Sequence, residues 1–297
     1  MWRRRAIVGA LALVALAPAP ALAASPTSRA AAYLQRAQNA DGGFGFAPGS
    51  ATTPIATQWA AIGLRAAGHD PARVRRGHGA TLRAAVVRSA GRARDASDTA
   101  RAILALGSST TLTRRLVGLQ KDDGSFDRLV TTTAFGVLAL RASDRSTRDA
   151  AVRRATAWLA GQQNTDGGWS AAGRGAASGI DETAAALQAL VRGGTSRTAA
   201  RVRRAVRFLR AHQSPDGGFP LRVGDASNAQ STAWAVQALV AGGVDPARVR
   251  HAGSRDPLAY LRSLQAADGA VRYSRTSAQT PVWVTAQALL ALARRAF

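Results

Sequence analysis

The chain has 297 residues, with 40 Lys or Arg against 17 Asp or Glu and a net charge of +23. It contains no cysteine, which excludes disulfides, a lipidated-cysteine anchor and any zinc or iron–sulfur site built on thiolates. Stability must therefore come from the core alone, which a domain of this length can supply by burying roughly three quarters of its chain surface.

From the start, Met1-Trp2-Arg3-Arg4-Arg5, the apolar run Ala6 to Ala17 and the small-residue site Ala21-Leu22-Ala23 read as a secretory signal peptide cleaved after Ala23. The run is too short, and too broken by Pro18 and Pro20, for a membrane span of about 20 residues. No other segment qualifies as one. The expectation is an exported protein, extracellular or in the cell envelope, with residues 24–297 as one domain. Its net charge is +20 once Arg3, Arg4 and Arg5 leave (37 − 17). Such charge either fills solvated faces or attracts an anionic partner: envelope polymer, lipid headgroup or nucleic acid. The basic runs lack interleaved aromatics for base stacking, which argues against nucleic acid.

Beyond residue 30 the sequence repeats itself. The fullest copy is Gln163-Asn164-Thr165-Asp166-Gly167-Gly168-Trp169. Others are Gln38-Asn39-Ala40-Asp41-Gly42-Gly43-Phe44, Gln120-Lys121-Asp122-Asp123-Gly124-Ser125-Phe126, Gln213-Ser214-Pro215-Asp216-Gly217-Gly218-Phe219 and Gln265-Ala266-Ala267-Asp268-Gly269-Ala270-Val271. Asp-Gly makes a tight reversal, since Asp bonds the backbone ahead and Gly accepts positive φ. The following aromatic can then bury itself under the turn, worth roughly 2 to 3 kcal/mol.

A second signature alternates with the first: a Thr with Leu seven residues on, in alanine-rich helical stretches starting at Thr57, Thr99, Thr133, Thr183, Thr232 and Thr285. The steps of 42, 34, 50, 49 and 53 residues suit one helical hairpin per unit, six in all. Asp70-Pro71 and Asp245-Pro246 each fall 13 residues after their Thr and are predicted to open helices. The stretches from Thr183, Thr232 and Thr285 are apolar or small almost all round, the pattern of a buried helix. Val202 to Gln213 instead carries apolar residues on one stripe and Arg203, Arg204, Arg207 and Arg210 on the other. Inner and outer helical layers follow. Neither end has a polar capping unit, which favours closure into a ring over an open solenoid. Unit two, with an outer helix near 80–90 and no Gln-x-x-Asp-Gly turn, is the irregular one, most of all over 91–97.

These turns alternating with Thr-Ala helices resemble the repeats of the squalene cyclase and protein prenyltransferase superfamily, over about residues 30 to 297. The resemblance implies an all-α fold, an α6/α6 toroid in which the turn Gln and aromatic tie adjacent outer helices together. Zinc prenyltransferases of that family hold their metal with Asp, Cys and His, which this chain does not match; no metal site or cofactor is expected. Class II terpene cyclases protonate an alkene with the central Asp of Asp-x-Asp-Asp-Thr-Ala. Asp95-Ala96-Ser97-Asp98-Thr99-Ala100 keeps the outer acids with Ser97 in the donor place. Gly179-Ile180-Asp181-Glu182-Thr183-Ala184 keeps Asp181 in that place, with Glu182 beside it. Those cyclases use two barrels, whereas this chain has length for one.

Read without the family, Asp95, Asp98, Asp181 and Glu182 are ordinary acids at helix starts, where free amides and the dipole favour them. A protonated Asp181 would need burial and the like charge of Glu182. Trp59, Phe135 and Trp234 each lie two residues after the repeat Thr and Trp283 two before; they line a central cavity or pack into the core. Gln58, Asn228, Gln230 and Gln279 are the polar groups able to orient a ligand. Three functions stay open: binding of a small apolar or isoprenoid-like molecule in the lumen, which is favoured; class II cyclase-like chemistry at Asp181 and Glu182; and corrinoid capture or protein interaction with a partner chain.

Overall fold

The computed structural model describes residues 24–251 and 255–297; the expected signal peptide lies outside them. Six hairpins follow one another. The outer members are α1 (Pro26–Ala37), α3 (Leu82–Ala90), α5 (Thr110–Gly118), α7 (Ala150–Gly161), α9 (Ala200–Ala211) and α11 (Pro257–Ser263). The inner members are α2 (Pro54–Ala66), α4 (Ala96–Leu106), α6 (Val130–Ala142), α8 (Ile180–Arg192), α10 (Ala229–Ala241) and α12 (Pro281–Leu292). Besides helices, the described residues hold one small antiparallel strand pair, β1 (Phe219–Pro220) with β2 (Ser227–Asn228), and isolated bridges at Trp169–Gly179 and Gln265–Val271.

Periodicity decides the layers. Helix α9 buries Val202, Ala205, Phe208 and Leu209 and exposes Arg203, Arg207 and Arg210, whereas α6 buries every residue from Thr132 to Leu140. Each inner helix packs against the next, and α12 packs back on α2, so the ring closes. At that seam a Cβ on Gly63 would sit 2.5 Å from the Ala286 carbonyl oxygen, so glycine is what permits the two helices to meet. Every outer helix leans on the inner helices either side of it, α1 on α12 and α2 included.

The two sequence signatures are joined by hydrogen bonds. The turn aromatics Phe44, Phe126, Trp169 and Phe219 are fully buried. Their amides donate to the repeat threonine of the next inner helix: Phe44 to Thr57, Phe126 to Thr133 and Trp169 to Thr183 at 2.9 Å, and Phe219 to Thr232 at 2.8 Å. The turn glutamines reach sideways. Gln163 donates to the carbonyl of Arg201 at 2.9 Å and accepts from the Arg204 guanidinium at 2.8 Å, tying α7 to α9. Gln120 does the same with Ala151 and Arg154, and Gln265 with Pro26 and Arg29, which staples the last outer helix to the first. The turn itself needs glycine: Gly167 has φ +94, and a Cβ there would lie 2.7 Å from the Arg204 carbonyl oxygen.

One local expectation is corrected in part. Asp245-Pro246 opens a helix as expected, though only the single 3-10 turn Pro246–Arg248, with Asp245 accepting from the Ala247 amide at 3.0 Å. Asp70-Pro71 makes a turn and no helix, Asp70 accepting from the Ala72 amide at 2.9 Å. In unit two the carbonyls of Pro71 and Val74 are taken by the amides of Arg83 and Leu82 at the start of α3. The turn's acceptors are therefore spent on docking the next helix instead of propagating one. The outer helices begin later, at the caps Thr81 and Asp256. Ala96 and Ser97, at the end of the stretch expected to be irregular, already belong to α4.

Candidate functional site

All inner helices run the same way, so their starts share one rim, and two register positions face the lumen there. The residues two after the repeat threonine, Trp59, Arg101, Phe135, Ala185, Trp234 and Gln287, all line a rim cavity of about 370 Å³. Of those two before it, Ile55, Thr131, Asp181, Gln230 and Trp283 line it too. The spacing of four is one helical turn, which stacks the two rows on a single face.

Units one, three and five contribute rings to the lower row. Trp59, Phe135 and Trp234 meet edge-on, with centroids 5.6 to 6.0 Å apart. Phe297 joins them at 6.0 to 6.3 Å. Edge-to-face packing at this spacing suits the ring quadrupoles. The four rings form a septum. Beyond it lies a second cavity of about 690 Å³, lined by Ile62, Leu104, Leu138, Leu290 and Phe297. The lumen is thus neither an open channel nor a solid plug, but two chambers.

Asp181, in the first turn of α8, is in the wall of the rim cavity. Its Oδ1 is buried without a hydrogen-bond partner among the described residues. Burial raises the carboxyl to about 7; the Ser231 hydroxyl beside it pulls the other way, and the Glu182 charge adds to the rise. Removal from water therefore outweighs the helix dipole, which favours the ionised acid. Tyr273 stands in the same wall, and its hydroxyl is raised by burial first and then by the charges of Asp181 and Asp225. Trp283, 5.6 Å from Phe46, closes another side. Gln230 donates to Gln287 at 2.7 Å within the wall. Asn228 lines the cavity while capping α10 through the Ser231 amide at 2.8 Å.

Unit two is arranged differently. Its lumen residue is Arg101, almost wholly buried, whose Nε donates to Gln58 Oε1 at 3.0 Å and whose Nη2 pairs with the Asp98 carboxylate. Gln58 lies behind that guanidinium and also donates to the Ser89 hydroxyl at 3.3 Å. It orients Arg101 rather than facing a ligand. Asp98 holds Arg101 from the solvent side, and exposed Asp95 caps α4 by accepting from the Asp98 amide at 2.7 Å. Neither lines the rim cavity, nor does Gln279, which is exposed in the loop before α12.

Two family models match the chain: the squalene-hopene cyclase C-terminal domain over residues 118–219 and the prenyltransferase alpha-alpha toroid domain over residues 183–290. The fold is the squalene cyclase and prenyltransferase α/α toroid. Among solved toroids, the type II terpene cyclase MstE from Scytonema is similar at 16% identity with TM-score 0.61, over 90% of this chain and 96% of that one. The ent-copalyl diphosphate synthase from Streptomyces platensis is similar at 23% identity with TM-score 0.54, over 84% of this chain but 52% of that longer one. The protein geranylgeranyltransferase-I of Candida albicans is similar at 15% identity with TM-score 0.51, over 67% of this chain and 66% of that one. At these identities the likeness is one of fold. The match over nearly all of MstE corrects one expectation: a toroid of this length has a type II terpene cyclase as a counterpart, so a second barrel is not a requirement of that class. No curated protein sequence matches the chain.

The closed ring also brings to the lumen residues that the sequence alone did not single out: Arg101, Thr131, Ala185, Tyr273, Gln287 and Phe297. The first five line the rim cavity. Counting two on from every repeat threonine, rather than only where an aromatic stands, would have found Arg101, Ala185 and Gln287. No helix among the described residues is long and apolar enough to cross a membrane.

Proposed function

We propose that the protein binds a small, apolar, isoprenoid-like molecule in the rim cavity. The observation that carries this reading is the chamber itself: about 370 Å³, within the range of small-molecule pockets, walled by Trp59, Phe135, Trp234 and Trp283 and floored by the ring septum. Aromatic faces suit both a branched alkenyl chain and any positive charge that develops along it. A variant of MstE is known in complex with geranylgeranyl dihydroxybenzoate as its substrate, and a ligand of that general kind is the one carried over here. The test is a fluorescence titration of the protein with farnesol and geraniol, since three tryptophans stand in the wall. Saturable quenching that is lost in Ala185→Trp, which fills the chamber, supports the reading. No saturation by any prenyl alcohol with folded protein refutes it.

One observation favours a second reading, acid–base chemistry on the bound ligand. A carboxyl held near 7 is protonated in mildly acidic conditions and can donate to a ligand oxygen at little cost. An isolated alkene is a far weaker base than an alcohol or carbonyl, so Asp181 as found here is better matched to an oxygen-bearing isoprenoid. Product analysis after incubation with prenyl substrates tests this. Turnover by the parent that Asp181→Asn abolishes, with binding retained, supports it; equal turnover by both sinks it. We further propose, on residues 1–23 alone, that the chain is exported, and that its arginine-rich outer face meets an anionic envelope component or partner protein. N-terminal sequencing of the mature protein checks the first of these.

A further inference from the structure

The chamber beyond the septum is unused by the function proposed above, and it is the larger of the two. Ile62, Leu104, Leu138, Leu290 and the face of Phe297 give it an apolar wall, to which Thr27 adds a hydroxyl. Its mouth is at the C-terminal ends of the inner helices, where Arg65, Arg192 and Arg295 stand and, among the described residues, no acidic side chain does. Those helix ends carry partial negative charge, which repels anions unless it is offset. Part of that offset is visible. Arg65 donates to the Leu106 carbonyl at the end of α4 at 2.6 Å, and Arg141 to the Arg192 carbonyl at the end of α8 at 2.9 Å. Arg192 and Arg295 are left over: both side chains are exposed, and neither forms an ion pair among the described residues. Two guanidinium groups without an ion-pair partner among the described residues therefore stand at the lip of an apolar well.

We infer that this second chamber is a binding site for an amphipathic anion, a single hydrocarbon chain entering the apolar well with its carboxylate or phosphate held by Arg192 and Arg295. The chain fits the wall chemistry, and the head fits the guanidinium pair, which bonds planar carboxylate and phosphate groups with charge-assisted hydrogen bonds. The septum keeps the site apart from the rim cavity. Occupancy of one chamber therefore does not require the other, and this inference stands whether or not the rim cavity binds an isoprenoid.

Calorimetric titration of the full chain with laurate, farnesyl monophosphate, lauryl alcohol and farnesol tests it. Laurate or farnesyl monophosphate is expected to bind at least about tenfold more tightly than its alcohol, since a charge-assisted pair contributes at that level. Arg192→Gln with Arg295→Gln should weaken the anion about tenfold and leave the alcohol unchanged. Ala142→Trp, which fills the well from its mouth, should abolish anion binding in a chain that still folds. Ala185→Trp, which blocks only the rim cavity, should leave it intact. Binding of both anions would mean that a carboxylate head suffices; binding of farnesyl monophosphate alone would assign the head as phosphate. With the rim cavity blocked by Ala185→Trp, alcohols that bind as tightly as their anions, a double arginine change that leaves anion binding as it was, or no anion binding at all would each overturn the inference.

Discussion

Asp181 offers the sharpest check on how the rim cavity is built. An ordinary carboxyl titrates near 3.8 and this one near 7, so the fold holds a proton that the unfolded chain has already lost. Below about pH 4 both states are protonated and the group contributes no pH dependence. As pH rises from there, unfolding releases a proton and stability falls by about 1.4 kcal/mol per pH unit, levelling off once the buried acid also ionises near 7. The accumulated loss is about 4 kcal/mol. Asp181→Asn cannot ionise, so it escapes that loss. The parent and variant should be within about 1 kcal/mol of each other at about pH 4, and the variant more stable by about 4 kcal/mol at about pH 8. Asp123 and Asp149, whose carboxyls are held low by hydrogen bonds and neighbouring arginines, make stability rise with pH in the acid range. Both proteins share them, so they cancel in the difference. Urea unfolding followed by tryptophan fluorescence across this range measures it directly. A parent-to-variant difference that stays flat with pH would show that Asp181 is not held protonated by burial.

Three further outcomes test the scaffold. Gly167→Ala forces a side chain into φ +94 and against the Arg204 carbonyl, and should lower unfolding stability by about 2 to 3 kcal/mol. Thr183→Val removes the acceptor of the buried Trp169 amide and should cost about 1 to 3 kcal/mol by the same measurement, while Thr183→Ser should recover most of it. Gly63→Val meets the Ala286 carbonyl where the ring closes. Beyond a lower unfolding midpoint, it should raise the hydrodynamic radius, which a change at an ordinary core site would not do.

The ring was legible because its two helix types differ in periodicity and because the Asp-Gly turns and repeat threonines alternate along the chain. The sequence could not say that each threonine accepts from the preceding turn's aromatic amide, since that bond joins residues up to 14 apart across a reversal. The orientation of Trp59, Phe135 and Trp234 was equally hidden. Inner helices are apolar on all sides, so composition marks no lumen face; the closed ring supplies one. Arg101 escaped notice because a lone arginine on such a helix reads as an irregularity of unit two, when it occupies the same register as the three rings. Asp181 and Glu182 could be placed at a helix start, but the burial that raises Asp181 comes from α10 and the loop bearing Tyr273, far along the chain. Phe297 gave no signal, because its partners are brought together only by closure.

The central claim is that an apolar ligand sits above the ring septum. Photo-crosslinking with a diazirine-bearing farnesol, followed by peptide mapping, tests it most directly. Adducts should concentrate on peptides containing Trp59, Phe135, Asp181, Trp234 and Trp283, and should be competed away by unlabelled farnesol. Adducts confined to the outer helices, or spread without competition over the surface, would contradict it.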